Sequence, residues 1–441
     1  MRDTVLFQKE ITVKYEVDVM VAGGGPAGVA AAVSAAQNGA AVYLAEKNQC
    51  FGGMGTAAKV PAFMRFSDGV NFLAGGIGKR IFQALYGENT DYTEIEYAID
   101  TEKLKTVYDD MIVSSGISFT FESTLIDLVS KSGSVQYAVV HGKEQIFAVK
   151  AKVFIDATGD GSLAVMAGAG FEKGDEDQRM MPATLCSQWA EIDWDKAVVE
   201  LGKDPDNRML KKAFSDGVFT VKDPSLPGMW HRPDGLGGGN IGHVFDVDGT
   251  DEQSITSGII EARKRMGEYV RYYREYLPGY ENARLTATAD VLGIRETRRI
   301  RCVYRMTFQD YLHNAEFEDE IGRYCYPIDI HASSVEEQPD YADLYAKGYG
   351  KGKSYGISYR ALLPENTENV LVCGRCIGAE RSMMGSLRVM PACFITGAAA
   401  GAAAAEAVHS HSTVREIQIG KLQERIRSLE KAASAHVGGR V

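Results

Sequence analysis

The stretch Val17-Asp-Val-Met-Val-Ala-Gly-Gly-Gly-Pro-Ala-Gly28 decides the fold of this chain. It begins with a nearly continuous apolar run, which is typical of a parallel strand covered on both faces. A turn with the G-x-G-x-x-G pattern follows. Gly23 permits the tight turn, Gly25 lets the backbone approach a pyrophosphate, and Gly28 permits close packing of helix and strand. The pattern predicts a dinucleotide-binding βαβ unit.

The residues after this turn complete the unit. An Ala-rich helix runs to Asn38-Gly39, and a second apolar strand ends at Glu46. The helix would direct its free N–H groups and the positive end of its dipole at the phosphates. Glu46 stands where a carboxylate accepts the hydroxyls of an adenosine ribose. We therefore expect an adenine dinucleotide at the carboxyl edge of the sheet.

A second run, Gly237-Gly-Gly-Asn-Ile-Gly242, fits the same letters in the wrong context. It follows His231-Arg-Pro-Asp234 instead of a strand, and the sequence after it is extended in character. The motif identifies a phosphate site only between a strand and a helix. We therefore predict a loop here. We also expect no built-in NAD(P)H domain.

Composition and charge narrow the class of protein. The chain has 441 residues, 45% of them apolar and 24% charged, which suits a globular protein of more than one domain. The net charge of −11 argues against a nucleic-acid surface. No signal peptide is apparent, and the Ala- and Gly-rich run 391–408 predicts a packed interior helix better than a membrane span.

Seven scattered cysteines suit a reducing compartment, so we expect a cytoplasmic protein without a membrane partner. Cys373-Gly-Arg-Cys376 has dithiol spacing but follows a predicted strand and precedes Ile-Gly-Ala, whereas a redox dithiol sits at a helix N-terminus. A redox role is disfavoured and stays open. No ligand set for a metal ion or an iron–sulfur cluster is visible.

The order of the elements predicts an α/β fold. A helix from Asp100 or Thr101, alternating strands over 118–149 and the buried strand 153–156 would complete a Rossmann-like domain with a parallel sheet and a β-meander. Residues 175–340 change character: they carry all three tryptophans, acid-rich loops and a predicted helix over 251–277. We predict a cofactor-binding domain at 1–175 and 341–441, with an inserted α+β substrate domain at 176–340.

Several separated motifs occur together in a known order. They are Gly23 to Gly28, Gly52-Gly-Met-Gly-Thr56, Asp156-Ala-Thr-Gly-Asp-Gly161, Val247-Asp-Gly-Thr-Asp251, Gly293-Ile-Arg-Glu-Thr-Arg-Arg299, Tyr326-Pro-Ile-Asp-Ile-His331, and Gly374-Arg-Cys376 through Arg388-Val-Met-Pro391. With them the chain resembles the FAD-dependent oxidoreductases that have a glutathione-reductase-like flavin fold. The resemblance implies FAD held by the first and last sections of the chain, with the inserted domain over the flavin ring.

The resemblance also implies which residues hold FAD. The glycine turn would bind the pyrophosphate, the loop after Gly52 would follow the ribityl chain, and the helix after Pro391 would face the pyrimidine edge of the flavin. Cys373 departs from the family, which often has Ala there. The implied contacts are Gly23, Gly25, Pro26, Ala27, Gly28, Glu46, Lys47, Gly53, Met54, Thr56, Leu125, Ala157, Thr158, Gly159, Gly374, Arg375, Arg388, Pro391 and Ala392.

Two histidines are the candidate acid/base groups. A histidine titrates near neutral pH, which suits proton movement coupled to hydride transfer at flavin N5. His331 is the first candidate, although a structural histidine hydrogen-bonded beside Asp329 is the alternative. His243 is the weaker candidate.

Arginines could hold an anionic group. Arg295, Arg298 and Arg299 would share one side of a helix and could clamp a carboxylate, but pairing with Glu296 at the domain joint is the favoured alternative. Arg388 precedes the helix predicted to face the flavin, where a cation favours the reduced ring.

We predict an enzyme that transfers a hydride between flavin N5 and a small organic substrate. A flavin monooxygenase and a non-catalytic flavin subunit that relays electrons inside a complex are the alternatives. The sequence identifies neither the electron donor or acceptor nor the substrate, and it leaves homo-oligomer formation open.

Overall fold

The computed structural model describes residues 4–201, 207–225, 228–337 and 348–435. The strands are β1 Val13–Glu16, β2 Val19–Ala22, β3 Val42–Ala45, β4 Ala62–Met64, β5 Glu96–Ala98, β6 Ser118–Thr120, β7 Thr124–Lys131, β8 Ser134–His141, β9 Ile146–Lys150, β10 Val153–Asp156, β11 Phe171–Lys173, β12 Ser187–Ala190, β13 Met229–His231, β14 Gly237–Gly239, β15 Arg284–Thr288, β16 Arg298–Ile300, β17 Glu320–Tyr324, β18 Tyr355–Ser358 and β19 Val370–Val372. The helices are α1 Pro26–Gln37, α2 Ile77–Tyr86, α3 Thr101–Ser114, α4 Ser162–Met166, α5 Trp194–Leu201, α6 Arg208–Ser215, α7 Glu252–Tyr276, α8 Phe308–Leu312, α9 Arg381–Leu387, α10 Met390–Ser410 and α11 Ile419–Ala435.

A five-stranded parallel sheet forms the centre, in the order β19-β10-β2-β3-β6. Ala22 pairs with Ala45 on one side and with Asp156 on the other, so the carboxyl ends of these strands are level. The four strands β2, β3, β10 and β19 are completely buried, as their apolar sequences require. The predicted α/β fold with a parallel sheet is confirmed.

A second sheet carries the β-meander. Strands β7, β8 and β9 are antiparallel neighbours, and β1 pairs in parallel with β9. The meander is tied to the central sheet where the backbone N–H of Ser123 donates to the carbonyl of Glu46 at 3.0 Å. This connection places the first residues of β7 beside the carboxyl edge of β3.

Helices α1 and α10 pack against each other with their backbones almost in contact. A Cβ atom at Gly397 would lie 2.2 Å from the carbonyl oxygen of Ala27, and one at Gly401 would lie 2.1 Å from that of Ala31. Ser34 Oγ donates to the carbonyl of Ala398 at 2.6 Å. Helix α10 is long and apolar enough to cross a membrane, but 94% of its apolar window is buried inside the protein. The predicted interior helix is confirmed.

The inserted segment has its own sheet, in the order β13-β14-β12-β15, beside the long helix α7. Trp189, Tyr273 and Tyr280 belong to a hydrophobic cluster separate from the main core. Residues from Ile300 to Ile328, in contrast, pack into the main core. The predicted domain division stays a prediction, and its boundary at 340/341 lies outside the described residues.

The prediction of a loop at Gly237–Gly239 is wrong. These residues form β14, between β12 and β13. A Cβ atom at Gly238 would lie 2.4 Å from Pro61 Cβ, and one at Gly239 would lie 2.6 Å from Ser187 Oγ. The glycines therefore permit close packing of a strand. A glycine-rich sequence does not by itself predict such a strand.

Candidate functional site

The glycine turn after β2 is packed on two sides and open on the third. Gly23 has φ +96°, and a Cβ atom there would lie 2.6 Å from the carbonyl oxygen of Ala157. A Cβ atom at Gly28 would lie 1.8 Å from the carbonyl oxygen of Gly23. No atom lies within 4 Å of the Cβ position of Gly25, which is the N-cap of α1 and has no side-chain cap. This face is free for a phosphate to approach.

Glu46 closes one side of the turn. Its Oε2 accepts from the backbone N–H of Gly24 at 2.6 Å, and its Oε1 accepts from the backbone and side chain of Asn48, both at 2.7 Å. The residue is 3% exposed, and burial raises its pKa. Lys47 is exposed next to it. Asn48 was missed from the sequence, because its contact with Glu46 forms only when the chain turns after β3.

The last section of the chain reaches the same turn. Gly374 has φ +79°, its Cβ position lies 3.1 Å from Ala27 Cβ, and its N–H donates to Thr396 Oγ1 at 3.1 Å. On the other side, Arg375 Nη2 pairs with Asp160 Oδ1 at 2.6 Å. The predicted contribution of both ends of the chain to one site therefore matches the geometry.

Further predicted cofactor contacts lie in the loop after Gly52, in the turn after β10 and in strand β7. A Cβ atom at Gly53 would lie 3.3 Å from Gly25 Cα, so the loop of Met54 and Thr56 passes in front of α1. Gly159 lies against Arg375, with its Cβ position 2.9 Å from Cζ. Leu125 is the second residue of β7.

The remaining predicted contacts lie at the ends of β10 and α10. Thr158 donates to Asp156 Oδ1 through its backbone N–H and its hydroxyl, at 3.0 and 2.7 Å, which fixes the turn that contains Ala157. Pro391 and Ala392 lie in the first turn of α10, whose N-cap Val389 has no side-chain cap. Two uncapped helix N-termini, an open glycine and a buried carboxylate on one sheet edge fit an extended dinucleotide.

Both histidine candidates lie in one chain of charged and polar groups. His331 Nδ1 and His243 Nε2 are hydrogen-bonded at 2.9 Å. His243 Nδ1 lies 2.8 Å from Asp223 Oδ2, and His331 Nε2 lies 3.3 Å from Asp329 Oδ1. Arg388 Nη2 pairs with Asp329 Oδ2 at 2.7 Å. We call these five residues the histidine relay.

Asp223 is the member of the relay that the sequence did not reveal. It lies in a segment without helix or strand, and it contacts His243 only because the folded chain brings the two segments together. The sequence carries no periodicity or motif that points to it. Asp329, in contrast, is two residues from His331, and a contact between them was part of the structural alternative for that histidine.

Burial sets the charge state of the relay. Desolvation lowers the pKa of His331 to about 3, with Arg295 adding to the shift, and it also lowers the pKa of His243. The neighbouring His331 and Arg388 hold the pKa of the Asp329 carboxyl well below its usual range, against the effect of burial. At neutral pH the two imidazoles are therefore neutral and the Asp329 carboxylate is ionised.

Arg295 lies close to this relay, but not on a helix. Residues 294–297 form neither helix nor strand, and Arg298–Ile300 form β16, so the helical arrangement that would bring the three arginines to one side does not occur. The bridge of Gly293 with Thr184 fixes the start of this segment. Arg295 is buried, where Nη1 donates to the Pro182 carbonyl at 2.7 Å and to Thr184 Oγ1 at 2.9 Å. Burial lowers its pKa to about 10.

The other two arginines of this motif face elsewhere. Arg299 Nη1 donates to Glu296 Oε1 at 2.7 Å, and Arg381 Nε lies 3.1 Å from the same carboxylate. Arg298 donates to the carbonyl of Asp160 at 3.2 Å. The structure thus separates Arg295 from its neighbours in sequence and leaves it near the histidines.

The Cys373–Cys376 pair is in an environment that disfavours thiolates. Both residues are completely buried, and burial raises the pKa of each thiol well above its usual value. Cys376 Sγ faces the carbonyl of Cys373 at 3.4 Å. A thiolate nucleophile is not favoured in such surroundings.

Comparisons with solved structures give broad but weak similarity. The chain is similar to a geranylgeranyl bacteriochlorophyll reductase-like protein from Thermoplasma acidophilum, with 13% identity, 96% of this chain and 84% of that chain covered, and a TM-score of 0.47. It is similar to p-nitrophenol 4-monooxygenase from Pseudomonas putida, with 12% identity, coverages of 96% and 89%, and a TM-score of 0.44. The flavin-dependent brominase Bmp2 gives 11% identity, coverages of 95% and 84%, and a TM-score of 0.47.

These alignments identify no reaction for the present chain. No curated protein sequence matches it. The sequence model of one family, described as FAD dependent oxidoreductase, matches residues 18–426 and therefore spans the glycine turn, the inserted segment and helix α10. The chain belongs to the FAD dependent oxidoreductase family, and its cofactor is FAD.

Proposed function

We propose that this protein is a dehydrogenase or reductase that transfers a hydride between flavin N5 and a small organic substrate, with His331 as proton donor and acceptor. The observation that carries the proposal is the histidine relay. It ends at Arg388, which directly precedes the N-cap of α10. A proton-transfer group is thereby tied to the helix whose N-terminus, by family resemblance, faces the flavin.

The residues around the sheet edge would hold the cofactor. Gly25 and the N-terminus of α1 would bind the pyrophosphate, Glu46 the ribose, and the N-terminus of α10 the flavin pyrimidine edge. When bound, FAD supplies a two-electron acceptor and donor of hydride at N5. The protein's part is to orient the substrate and to move one proton.

The hydrogen-bond order of the relay selects the reactive nitrogen. We assign the proton of His243 to Nδ1, which lies 2.8 Å from Asp223 Oδ2, so that His243 Nε2 is the acceptor. In this assignment His331 donates from Nδ1, and its Nε2 is unprotonated. His331 Nε2 is thus the base when the substrate is oxidised, and the imidazolium formed there is stabilised by Asp329 at 3.3 Å.

The reactive end of the relay is partly accessible to solvent. The side chains of Asp329 and His331 are 36% and 15% exposed, although their pKa shifts are those of groups removed from bulk solvent. Side chains that a small molecule can reach, but that are shielded from bulk water, suit a substrate whose proton must not be exchanged with the solvent.

Anaerobic reduction tests the proposal. The FAD-loaded protein is mixed without oxygen with a panel of small hydroxy acids, amino acids and alcohols, and absorbance near the flavin band is followed. In the reverse direction, chemically reduced protein is mixed with oxo acids and unsaturated acids. We expect at least one member to bleach or restore the flavin, and His331→Gln to slow that step by roughly 10²- to 10⁴-fold.

The matched control is His313→Gln, because His313 is exposed and its ring contacts a carbonyl of its own helix turn. Oxygenation of a product in proportion to NAD(P)H consumed would replace this proposal by a monooxygenase. If no substrate in the panel reduces or oxidises the flavin, but a protein partner exchanges electrons with it rapidly, the alternative of a non-catalytic flavin subunit inside a redox complex is favoured.

We also propose a reducing compartment and a separate electron donor or acceptor. All seven cysteines are free thiols in the structure, which supports the first part. Intact mass measurement of protein from its native cells, with and without reductant, tests it, since a disulfide would remove two hydrogens.

A further inference from the structure

Arg295 is a buried cation for which the protein provides only neutral partners. Its guanidinium donates to the carbonyl of Pro182, to Thr184 Oγ1 and, at 3.4 Å, to Asn240 Oδ1. No carboxylate pairs with it in the described part of the chain. The like charge of Arg388 adds to the burial that lowers its pKa. Asp329 and Asp223 act on this guanidinium only from a distance, so its hydrogen-bonding groups are free to take an anionic ligand in direct contact.

Arg388 has a donor left over at the same place. Its Nη2 is used by the carbonyl and the carboxylate of Asp329, at 3.0 and 2.7 Å. Its Nε is buried and has no hydrogen-bond partner among the described residues. Other arginines of the described residues also have such an atom, and this one is distinguished by its place beside Arg295 and Asp329, where acceptor oxygens of a ligand would satisfy it.

The charges of the site balance only while it is without such an anion. Two cations, Arg295 and Arg388, stand against two carboxylates, Asp223 and Asp329, and the histidines are neutral. Arg265 also reaches the histidine pair, since its Nη1 donates to the carbonyl of His243 at 2.8 Å, but it lies 3.3 Å from Glu261 Oε1, and this ion pair adds no net charge. A bound monoanion would leave the site with one excess negative charge.

The protons of the relay show the matching deficit. The contacts of Asp223 with His243, of His243 with His331, and of His331 with Asp329 each need one proton, whereas two neutral imidazoles carry only two. The contact without a proton is the longest, at 3.3 Å between His331 Nε2 and Asp329 Oδ1. One added proton would turn this contact into a hydrogen bond. It would also make the net charge of the site zero when a monoanion is bound.

We propose that this site takes a monocarboxylate substrate, held by Arg295 and by Nε of Arg388, and that its binding is accompanied by uptake of about one proton by the His243–His331 pair. The inference rests on the proposed function in that it names the substrate class of the same site. The proton enters at His331 Nε2, so the occupied site is set for the direction of the proposed reaction in which His331 donates a proton to the substrate.

Binding alone tests this inference, without any turnover. The FAD-loaded protein is titrated with saturated monocarboxylates from acetate to hexanoate and with benzoate, and the corresponding amides serve as uncharged controls of similar shape. Calorimetry in two buffers with different heats of ionisation gives the number of protons taken up. We expect the acids to bind and the amides to fail, with about one proton taken up per bound acid between pH 5 and 7.

The pH dependence supplies a second readout on the unaltered protein. While the free pair is neutral and the occupied pair is protonated, affinity should increase about tenfold for each unit that the pH falls. Equal affinity for acids and amides would overturn the anion site. Binding of acids with no proton uptake and no pH dependence in this range would overturn the coupling.

Variants separate the two parts of the proposal. Arg295→Gln should weaken carboxylate binding by roughly 10- to 100-fold, since it removes charge-assisted hydrogen bonds. The matched control Arg305→Gln changes an arginine that is 50% exposed and paired with Glu172, and should bind like the unaltered protein. His331→Gln should bind carboxylates without proton uptake; uptake that persists in this variant would contradict the assignment. If carboxylates bind with uptake but never exchange electrons with the flavin, the proposed function fails and this inference stands.

Discussion

Replacing Gly397 by alanine should push helices α1 and α10 apart and loosen FAD. The added Cβ atom would lie 2.2 Å from the carbonyl oxygen of Ala27, whereas ordinary contacts begin at 3.4 Å. The obstacle is a backbone atom, which cannot rotate away. The helices would therefore have to separate by about 1 Å, a gap that forfeits about a quarter to a half of the dispersion energy of the contacts involved.

The magnitude follows from two opposing terms. Overpacking a well-packed core costs up to about 3 kcal/mol, and a contact with a rigid backbone belongs at that end of the range. Alanine is better than glycine within a helix by about 1 kcal/mol. We expect a net destabilisation of about 2 kcal/mol, which lowers the Tm by about 4–8 °C for a cooperative unit of 150–250 residues.

Gly267→Ala provides the matched control. Gly267 lies in the middle of α7, and no atom lies within 4 Å of its Cβ position. The same change should therefore stabilise the protein by up to about 1 kcal/mol. Thermal unfolding of both variants, with the FAD dissociation constant from fluorescence titration, is the assay. If Gly397→Ala melts at or above the temperature of Gly267→Ala and retains FAD equally well, the account of the helix contact is refuted.

Three further outcomes can be checked. Glu46→Gln replaces one acceptor oxygen by an NH2 group that faces the N–H of Gly24 or of Asn48. FAD affinity should therefore fall by roughly tenfold or more in a fluorescence titration. Unchanged affinity would contradict the role of the carboxylate. Burial lowers the pKa of His331 to about 3 in the folded protein, so the unfolded chain binds more protons between about pH 3 and 6.5. The free energy of unfolding should therefore decrease as the pH is lowered from about 6.5 to about 3, by up to about 1.4 kcal/mol per pH unit. His331→Gln should flatten this slope in urea unfolding curves, and an unaltered slope would assign it to other groups. Cys373 and Cys376 should resist iodoacetamide at pH 8 until the protein is unfolded, as read by mass spectrometry of peptides; rapid labelling of the native protein would show that these thiols open to solvent.

The nucleotide-binding half of the site could be predicted because its signals are local. Gly23, Gly25 and Gly28 lie within one turn of chain, and their roles depend on the strand and helix directly beside them. The distance to Glu46 is fixed by one helix and one strand. Short-range patterns of this kind survive in any α/β fold, since the path between the residues has little freedom.

The proton-transfer half depends on contacts that the sequence does not encode locally. His243 and His331 are adjacent only because two segments without helix or strand meet, and Asp223 comes from a third such segment. Arg295 and Arg299 would share one side only of a helix, but Gly293 forms a bridge with Thr184 and Arg298–Ile300 form a strand. Tertiary pairing decides such segments, and periodicity cannot anticipate it.

The contact of α1 with α10 also means that the core can be completed only late in synthesis on the ribosome. Strand β10 gains its outer neighbour β19 only after a further 214 residues (156 to 370) have been made, which takes roughly 10–40 s at bacterial to eukaryotic elongation rates. Until then the nascent sheet has an unpaired edge, and the small-residue face of α1 is uncovered. Capture of FAD thus reports that synthesis has passed the last helix of the core, and a chain truncated before residue 370 would be exposed to chaperones and proteases through that edge.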